Sequence, residues 1–360
     1  MKKTMALLLA LICLGMAMAE GDYRVAMITD YADITDQSFN QTTYEACKAF
    51  CEANDIDFTY YKPNGNSTAE RVSMVEKADD EGYNVVVMPG FAFAEVIVEV
   101  QDEYPDMIII ASDISEGDLG GAAIGPNVYC AVYREELCGY MAGYGAVKLG
   151  YTHLGFLGGM AVPGVVRYGY GFVQGADAAA TELGVDAAVE YVYGNQFYGD
   201  ADITAYMDNW YQNLGVQAVF ACGGGIYTSV AEAAAKVPGA KVIGVDVDQA
   251  AIIDGAYGEG LTLTSAMKGL NAAVQMLLKE TVAGNFDRYG GRAEALGLVS
   301  EDPDENFVGI APSTQWGEGF TEADYRALVS RMLSGEVVVS DDIDHMPETT
   351  ITVNDMGSIK

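Results

Sequence analysis

The chain has 360 residues, with 52 acidic against 19 basic side chains and a formal net charge of −33. No basic stripe is present to displace counterions from phosphates, which excludes nucleic-acid binding, and the same charge excludes docking on an anionic membrane surface through the protein itself. Half of the residues are hydrophobic and only 20% are charged, a balance that suits buried α/β sheets rather than disorder.

Met1 to Ala19 reads as a secretory signal. Lys2 and Lys3 form the charged end, Met5 to Met16 is an apolar or small-residue run, and Ala17-Met18-Ala19 is an A-x-A cleavage site. The run falls short of the ~20 residues that span a bilayer. Cleavage before Glu20 is expected, with a lipid on Cys13 as the alternative; Ile12 ahead of it is larger than such a site usually wants. About 340 residues remain, enough for two domains of ordinary size.

Arg24 to Ile28 predicts a strand. The polar loop Thr29 to Asn40 follows, and Phe39, Ala46, Cys47 and Phe50 then share one face of a helix. Loops at the carboxyl ends of strands line the ligand crevice of an open α/β sheet. Asp33 and Asp36 also serve as turn formers, and Asp36 or Ser38 caps the helix. Ile56 to Tyr60 is a second strand, and Ser67-Thr68-Ala69-Glu70 is a capping box that opens a helix to about Glu81. Asn84 to Met88 and Met107 to Ala111 are further strands with a helix between them. Continuous apolar strands alternating with helices predict a parallel sheet covered on both faces.

A second block starts near Tyr129. Arg134 to Lys148 is helical, His153 to Leu157 is a strand, and Pro163 to Glu182 is a helix whose glycines suit close helix packing more than catalysis. Strands follow at Val189 to Val192, Ala218 to Ala221 and Lys241 to Val245, with a helix through Lys236. Leu261 to Ser265 is a strand, Lys268 to Val282 a helix, Phe307 to Ala311 a strand, and Thr321 caps a helix to Leu333. Ser340 to Asp344 is an acidic, solvated loop. No low-complexity linker separates the blocks, which fits two α/β domains joined by several strand crossings.

Polar groups recur just after predicted strands: Asp113, Asp246, the Gly223-Gly224-Gly225 trio and Lys268. For each aspartate, a cap or turn role competes with ligand contact. Lys268 at a helix start is disfavoured by the helix dipole, so Asp246 or a ligand is its expected partner. Cys47, Cys51, Cys130, Cys138 and Cys222 sit among apolar or small residues and read as buried free thiols, although one disulfide is the alternative. His153 and His345 have no Cys or carboxylate at metal-ligand spacing.

The string Asp30, then Asp36-Gln37-Ser38-Phe39-Asn40, resembles the opening motif of the basic membrane protein family, the solute-binding proteins that serve nucleoside-type ABC importers. Tyr31 and Ala32 depart from it, standing where glycine is common and narrowing the mouth of a site. The resemblance runs from Tyr23 to Phe307, through Gly155 to Gly159, Arg167 to Gly175, Gly223 to Gly225, Ile243 to Asp246 and Thr264 to Lys268, in family order. It implies two doubly wound parallel-sheet domains of the type I periplasmic-binding-protein kind. The expected division is 1–19 signal, 20–128 plus 266–291 for the first domain, and 129–265 plus 292–360 for the second. The resemblance also implies an exported bacterial protein of the periplasm or cell surface. Its partners would be a nucleoside, of purine type, and an ABC permease, with no cofactor, no metal and no catalysis; it would meet the membrane only through the permease or a lipid anchor. Carried over residue by residue, Phe39 would stack on the base while Asn40 and Asp113 read its edge. Asp30, Asp246, Lys268 and a backbone N–H of the glycine trio, Gly223 foremost, would hold the ribose. Phe197 would be the second stacking ring, with Tyr198 in reserve. Two rival readings are the same fold with another planar ligand, flavin-like or signalling, and a nucleoside hydrolase using the same aspartates.

Overall fold

The first apolar run forms strand β1 (Arg24–Ile28), buried from Val25 onward, in a computed structural model that describes residues 23–359. The expected signal segment and Cys13 lie outside the described residues. After the polar loop, α1 (Phe39–Ala53) begins at Ser38, whose side chain makes no capping bond. Asp36 does that work instead, accepting the backbone N–H groups of Ser38, Asn40 and Gln41 at 3.0 Å each. The first block continues as β2 (Asp57–Tyr61), α2 (Thr68–Asp80), β3 (Val85–Pro89), α3 (Ala94–Val100), β4 (Ile108–Ser112) and β5 (Val128–Tyr133). The Ser67–Glu70 capping box opens α2 as read.

The second block runs α4 (Glu135–Lys148), β6 (His153–Gly158), α5 (Pro163–Leu183), β7 (Ala188–Tyr193), α6 (Ala201–Asn209), β8 (Ala218–Cys222), α7 (Tyr227–Ala234), β9 (Lys241–Asp246), α8 (Ala250–Tyr257) and β10 (Thr262–Lys268). It is followed by α9 (Leu270–Val282), β11 (Arg292–Leu296), β12 (Val308–Ile310), α10 (Glu322–Leu333) and β13 (Thr352–Ser358). Thr321 caps α10 within a capping box completed by Asp324. Sequence reading missed β5, α6, α8, β11 and β13. The last two are edge strands with mostly half-buried or exposed residues, so no apolar run marks them.

Among the described residues the strands form two sheets, ordered β11-β5-β4-β3-β1-β2 and β12-β10-β9-β8-β6-β7-β13. All neighbours are parallel except β10 and β12. Within each lobe the strands follow the same 2-1-3-4-5 order, so each sheet has a switch point between its first and third strands, at β1/β3 and at β6/β8. The two-sheet fold therefore matches expectation, but the division does not. β5 and β11 pair in the first sheet, whereas residues 129–133 and 292–296 were expected in the second domain, and 266–268 belong to the second sheet. The chain leaves the first lobe after β5 rather than before it, returns after β10 and crosses again between β11 and β12.

The second lobe is built around the α4–α5 pair. A Cβ at Gly139 or Gly143 would run into the α5 backbone, and one at Gly171 or Gly175 into that of α4. Those of α5 serve close packing, as read, and those of α4 share the role; the contact sets Glu135 of α4 beside Arg167 and Tyr168 of α5. All five described cysteines are free and buried. No described helix is long and apolar enough to cross a membrane.

Candidate functional site: a closed cleft between the lobes

The carboxyl ends of both sheets face each other across a cavity of about 60 Å³. All eight residues singled out from the sequence line it: Asp30, Phe39, Asn40, Asp113, Phe197, Gly223, Asp246 and Lys268. Each comes from a strand end, from the loop behind it or, for Phe39 and Asn40, from the first turn of the helix that follows, so the doubly wound order explains their convergence. At this volume the cavity is smaller than the ~150 Å³ that admits benzene, so a nucleoside-sized molecule enters only when the walls move apart.

On the first lobe, Asp30 follows β1. Its Oδ1 accepts the Asn40 side-chain amide at 2.9 Å, while Asn40 Oδ1 accepts the Asp30 backbone N–H at 3.3 Å. The same Asn40 amide donates to Asp36 at 3.1 Å. Asn40 is thus committed to orienting the two aspartates. Burial pushes the Asp30 carboxyl up to about 6, against the pull of Asn40. Gly90, after β3, has φ +115, and any Cβ there would strike that carboxylate.

Lys268 ends β10 and reaches across to the first lobe. Its Nζ lies 3.0 and 2.7 Å from the oxygens of Asp113 and 3.0 Å from Glu135 Oε1. Arg167 Nε donates to the other Glu135 oxygen at 2.6 Å. Burial works against the Lys268 charge, yet Asp113, Glu135 and Asp246 hold its pKa well above the usual value. Glu135 is fully buried, but Lys268 and Arg167 outweigh that and keep its pKa below normal. Asp113 is raised by burial, which Lys268 only partly offsets. Of the expected partners, Asp246 or a ligand, Asp246 is therefore not the one taken: Lys268 pairs with Asp113 and Glu135. Glu135 and Arg167 were missed because charged residues on a helix read as solvent-facing. Phe39 lies beneath, its ring centroid 4.9 Å from Lys268 Nζ.

Asp246 ends β9 of the second lobe. Its Oδ2 accepts the Ser38 hydroxyl of the first lobe at 2.5 Å, and Tyr168 OH stands 3.5 Å from Oδ1. Burial raises its pKa to about 6, with Lys268 opposing. Beside it, Gln249 donates to the Gln37 carbonyl at 3.2 Å, a further hydrogen bond between the lobes. Phe197 packs into the turn at Gly223 (φ +152), where a Cβ would meet its ring. Tyr198, the reserve, is 63% exposed and does not line the cavity.

Two parallel-sheet lobes, joined by several crossings and closing on a polar and aromatic cavity, define a solute-binding protein of the type I periplasmic fold. The profile of the family described as "ABC transporter substrate-binding protein PnrA-like" matches residues 23–307, and the chain belongs to that family. It is 25% identical to the ABC transporter nucleoside-binding protein BmpA of Lactococcus lactis subsp. cremoris, over 74% of this chain and 76% of the relative. It is 28% identical to the CD4+ T-cell-stimulating antigen of Listeria innocua, over 77% and 80%. In structure it resembles an ABC transporter solute-binding protein from Aeropyrum pernix K1, with TM-score 0.71, 20% identity, and 90% and 94% of the two chains covered. The chain is thus a substrate-binding protein of an ABC transporter, a class that works outside the cytoplasm; its family and fold are those of binding proteins.

Proposed function

We propose that the protein captures a purine nucleoside between its lobes and delivers it to an ABC importer. The observation that carries this reading is the cavity's make-up: two aromatic rings, Phe39 and Phe197, enclosed with the carboxylates of Asp30, Asp113 and Asp246. The nearby donors are already committed. The Asn40 amide goes to Asp30 and Asp36, the Lys268 ammonium to Asp113 and Glu135, and the Ser38 hydroxyl to Asp246. Acceptors therefore dominate, which favours a ligand rich in hydroxyl and N–H donors and repels a phosphate. In this reading Phe39 and Phe197 stack on the base and Asp113 reads its edge, with Asn40 acting through Asp30. Asp30, Asp246 and a Gly223 N–H hold the ribose, and Lys268 acts through Asp113. A relative named for nucleoside binding supports it.

Calorimetry with adenosine, inosine and their free bases tests the proposal, together with mass spectrometry of whatever ligand the purified protein releases. Nucleosides should bind more tightly than bases, and Phe39→Ala should weaken every aromatic ligand by about 1–3 kcal/mol. A released ligand without a sugar would overturn it. That outcome would favour a smaller planar ligand, a second reading motivated by the cavity's size and by Tyr31 at its mouth. Export is tested by the mature N-terminus, expected at Glu20 in a periplasmic or surface-located product; an acylated Cys13 would make it a lipoprotein.

A further inference from the structure

Tyr31 stands directly after Asp30, where the resembled motif usually has a small residue. Its ring packs on Phe197 across the cleft, with centroids 5.8 Å apart and planes tilted by 41°. Behind it lies the Arg71 guanidinium, 5.0 Å from the Tyr31 centroid and 5.8 Å from that of Phe93. Arg71 is only 2% exposed. It donates to the backbone carbonyls of Asn66 (2.9 Å) and Asp30 (3.3 Å), and its Nε has no hydrogen-bond partner among the described residues. A buried cation without a carboxylate on its fork is costly to keep, and here its partners are the faces of two aromatic rings. Tyr31 is thereby held between the Arg71 guanidinium and the Phe197 ring.

The two rings also separate two spaces. Inside is the cavity of about 60 Å³; outside is a vestibule of about 580 Å³ whose walls include Asn66, Gln196, Tyr198 and Thr228. Tyr31 and Phe197 line both, as do the neighbouring Ala32 and Asp36. We propose that Tyr31 is a specificity-determining residue, a gate that with Phe197 shuts the ligand cavity off from the vestibule. The protein then accepts nucleosides that end at the gate and rejects those carrying a bulky substituent through it. This rests on the nucleoside reading for the identity of the ligand, but not for the gate itself. A substituent that crosses must push Tyr31 off both Phe197 and Arg71, while removing the ring joins the two spaces.

The test measures binding of adenosine, N6-benzyladenosine and 5′-O-benzyladenosine, which extend opposite ends of one nucleoside. Wild-type protein should bind both extended probes at least 100-fold more weakly than adenosine. In Tyr31→Ala the affinity of at least one probe relative to adenosine should rise tenfold or more, and Tyr31→Phe, which keeps the ring, should retain the wild-type ratio. Near-equal binding of all three by the wild type, or no relative gain in Tyr31→Ala, overturns the gate. A second readout needs no ligand. Cys222 lines the inner cavity and is 1% exposed. Its alkylation by N-methylmaleimide at pH 9, followed by mass spectrometry with buried Cys130 as reference, should speed up fivefold or more in Tyr31→Ala but not in Tyr31→Phe. Equal rates in all three proteins overturn the gate. If the wild type binds no nucleoside, the nucleoside reading fails, and the Cys222 rates still decide the gate.

Discussion

Asp113 and Asp246 occupy equivalent places in the two lobes, behind the fourth strand of each 2-1-3-4-5 set, yet their chemistry differs. Both adopt the left-handed backbone, with φ of +61 and +65, a conformation that costs a non-glycine residue on the order of 1–3 kcal/mol and persists only where surroundings enforce it. Both reach to the opposite lobe. Asp113 is gripped through both oxygens by the Lys268 ammonium, while Asp246 takes one short hydroxyl bond from Ser38 and a long one from Tyr168. One backbone device thus serves two ends. Asp113 is tied into the buried ionic cluster that clamps the lobes, and Asp246 keeps acceptor capacity toward the cavity.

The sharpest way to break this contrast is Lys268→Met. It strands Asp113 and Glu135 with one cation fewer in a buried site, and should cost about 3–5 kcal/mol of stability in denaturant unfolding. A loss within 1 kcal/mol would mean that the cluster is not a clamp. Next in size is a pH effect. The Asp246 carboxyl is raised from an unfolded value near 3.8 to about 6 by burial, so the folded state holds its proton more tightly. Its stabilising contribution is complete below pH 4 and is lost as pH rises through 6. Asp246→Asn should therefore gain on wild type by roughly 2–3 kcal/mol between pH 4 and pH 7, measured by unfolding at each pH. Parallel pH curves would show that Asp246 is not strained in its charged form.

Binding separates the pair further. Asp246→Asn should weaken ribosides more than free bases, by roughly 1.5–3 kcal/mol, whereas Asp113→Asn should weaken ribosides and free bases alike, because the base edge it reads is common to both. Equal losses from both would erase the distinction. The smallest change is Ser38→Ala, which removes one hydroxyl bond to a carboxylate and should cost about 1.5 kcal/mol of stability without disturbing α1, since Asp36 caps that helix. A drop in helicity would contradict the assignment of the cap.

The strand–loop–helix at Arg24 to Asn40 was legible in the sequence because each signal is local. Four buried apolar residues, turn-forming aspartates and an amphipathic helix start all lie within a few residues of one another. The packing role of the α5 glycines was legible too. Asn40 shows where this stops. Its presence in the site followed from the motif, but its commitment to Asp30 and Asp36 depended on the loop's three-dimensional path.

By itself the sequence determined the types of most elements, the doubly wound class, the caps of α2 and α10 and the family, since periodicity, turn chemistry and ordered motifs are short-range properties of the chain. Tertiary structure alone decided that Lys268 pairs with Asp113, 155 positions away, and with Glu135. It also decided that Tyr31 meets Phe197, that Arg71 faces rings instead of a carboxylate, and that β5 and β11 belong to the first sheet. The physical reason is that a buried charge takes whichever partner packing brings within about 3 Å, and two sheets facing each other across a cleft bring together residues that no local pattern connects.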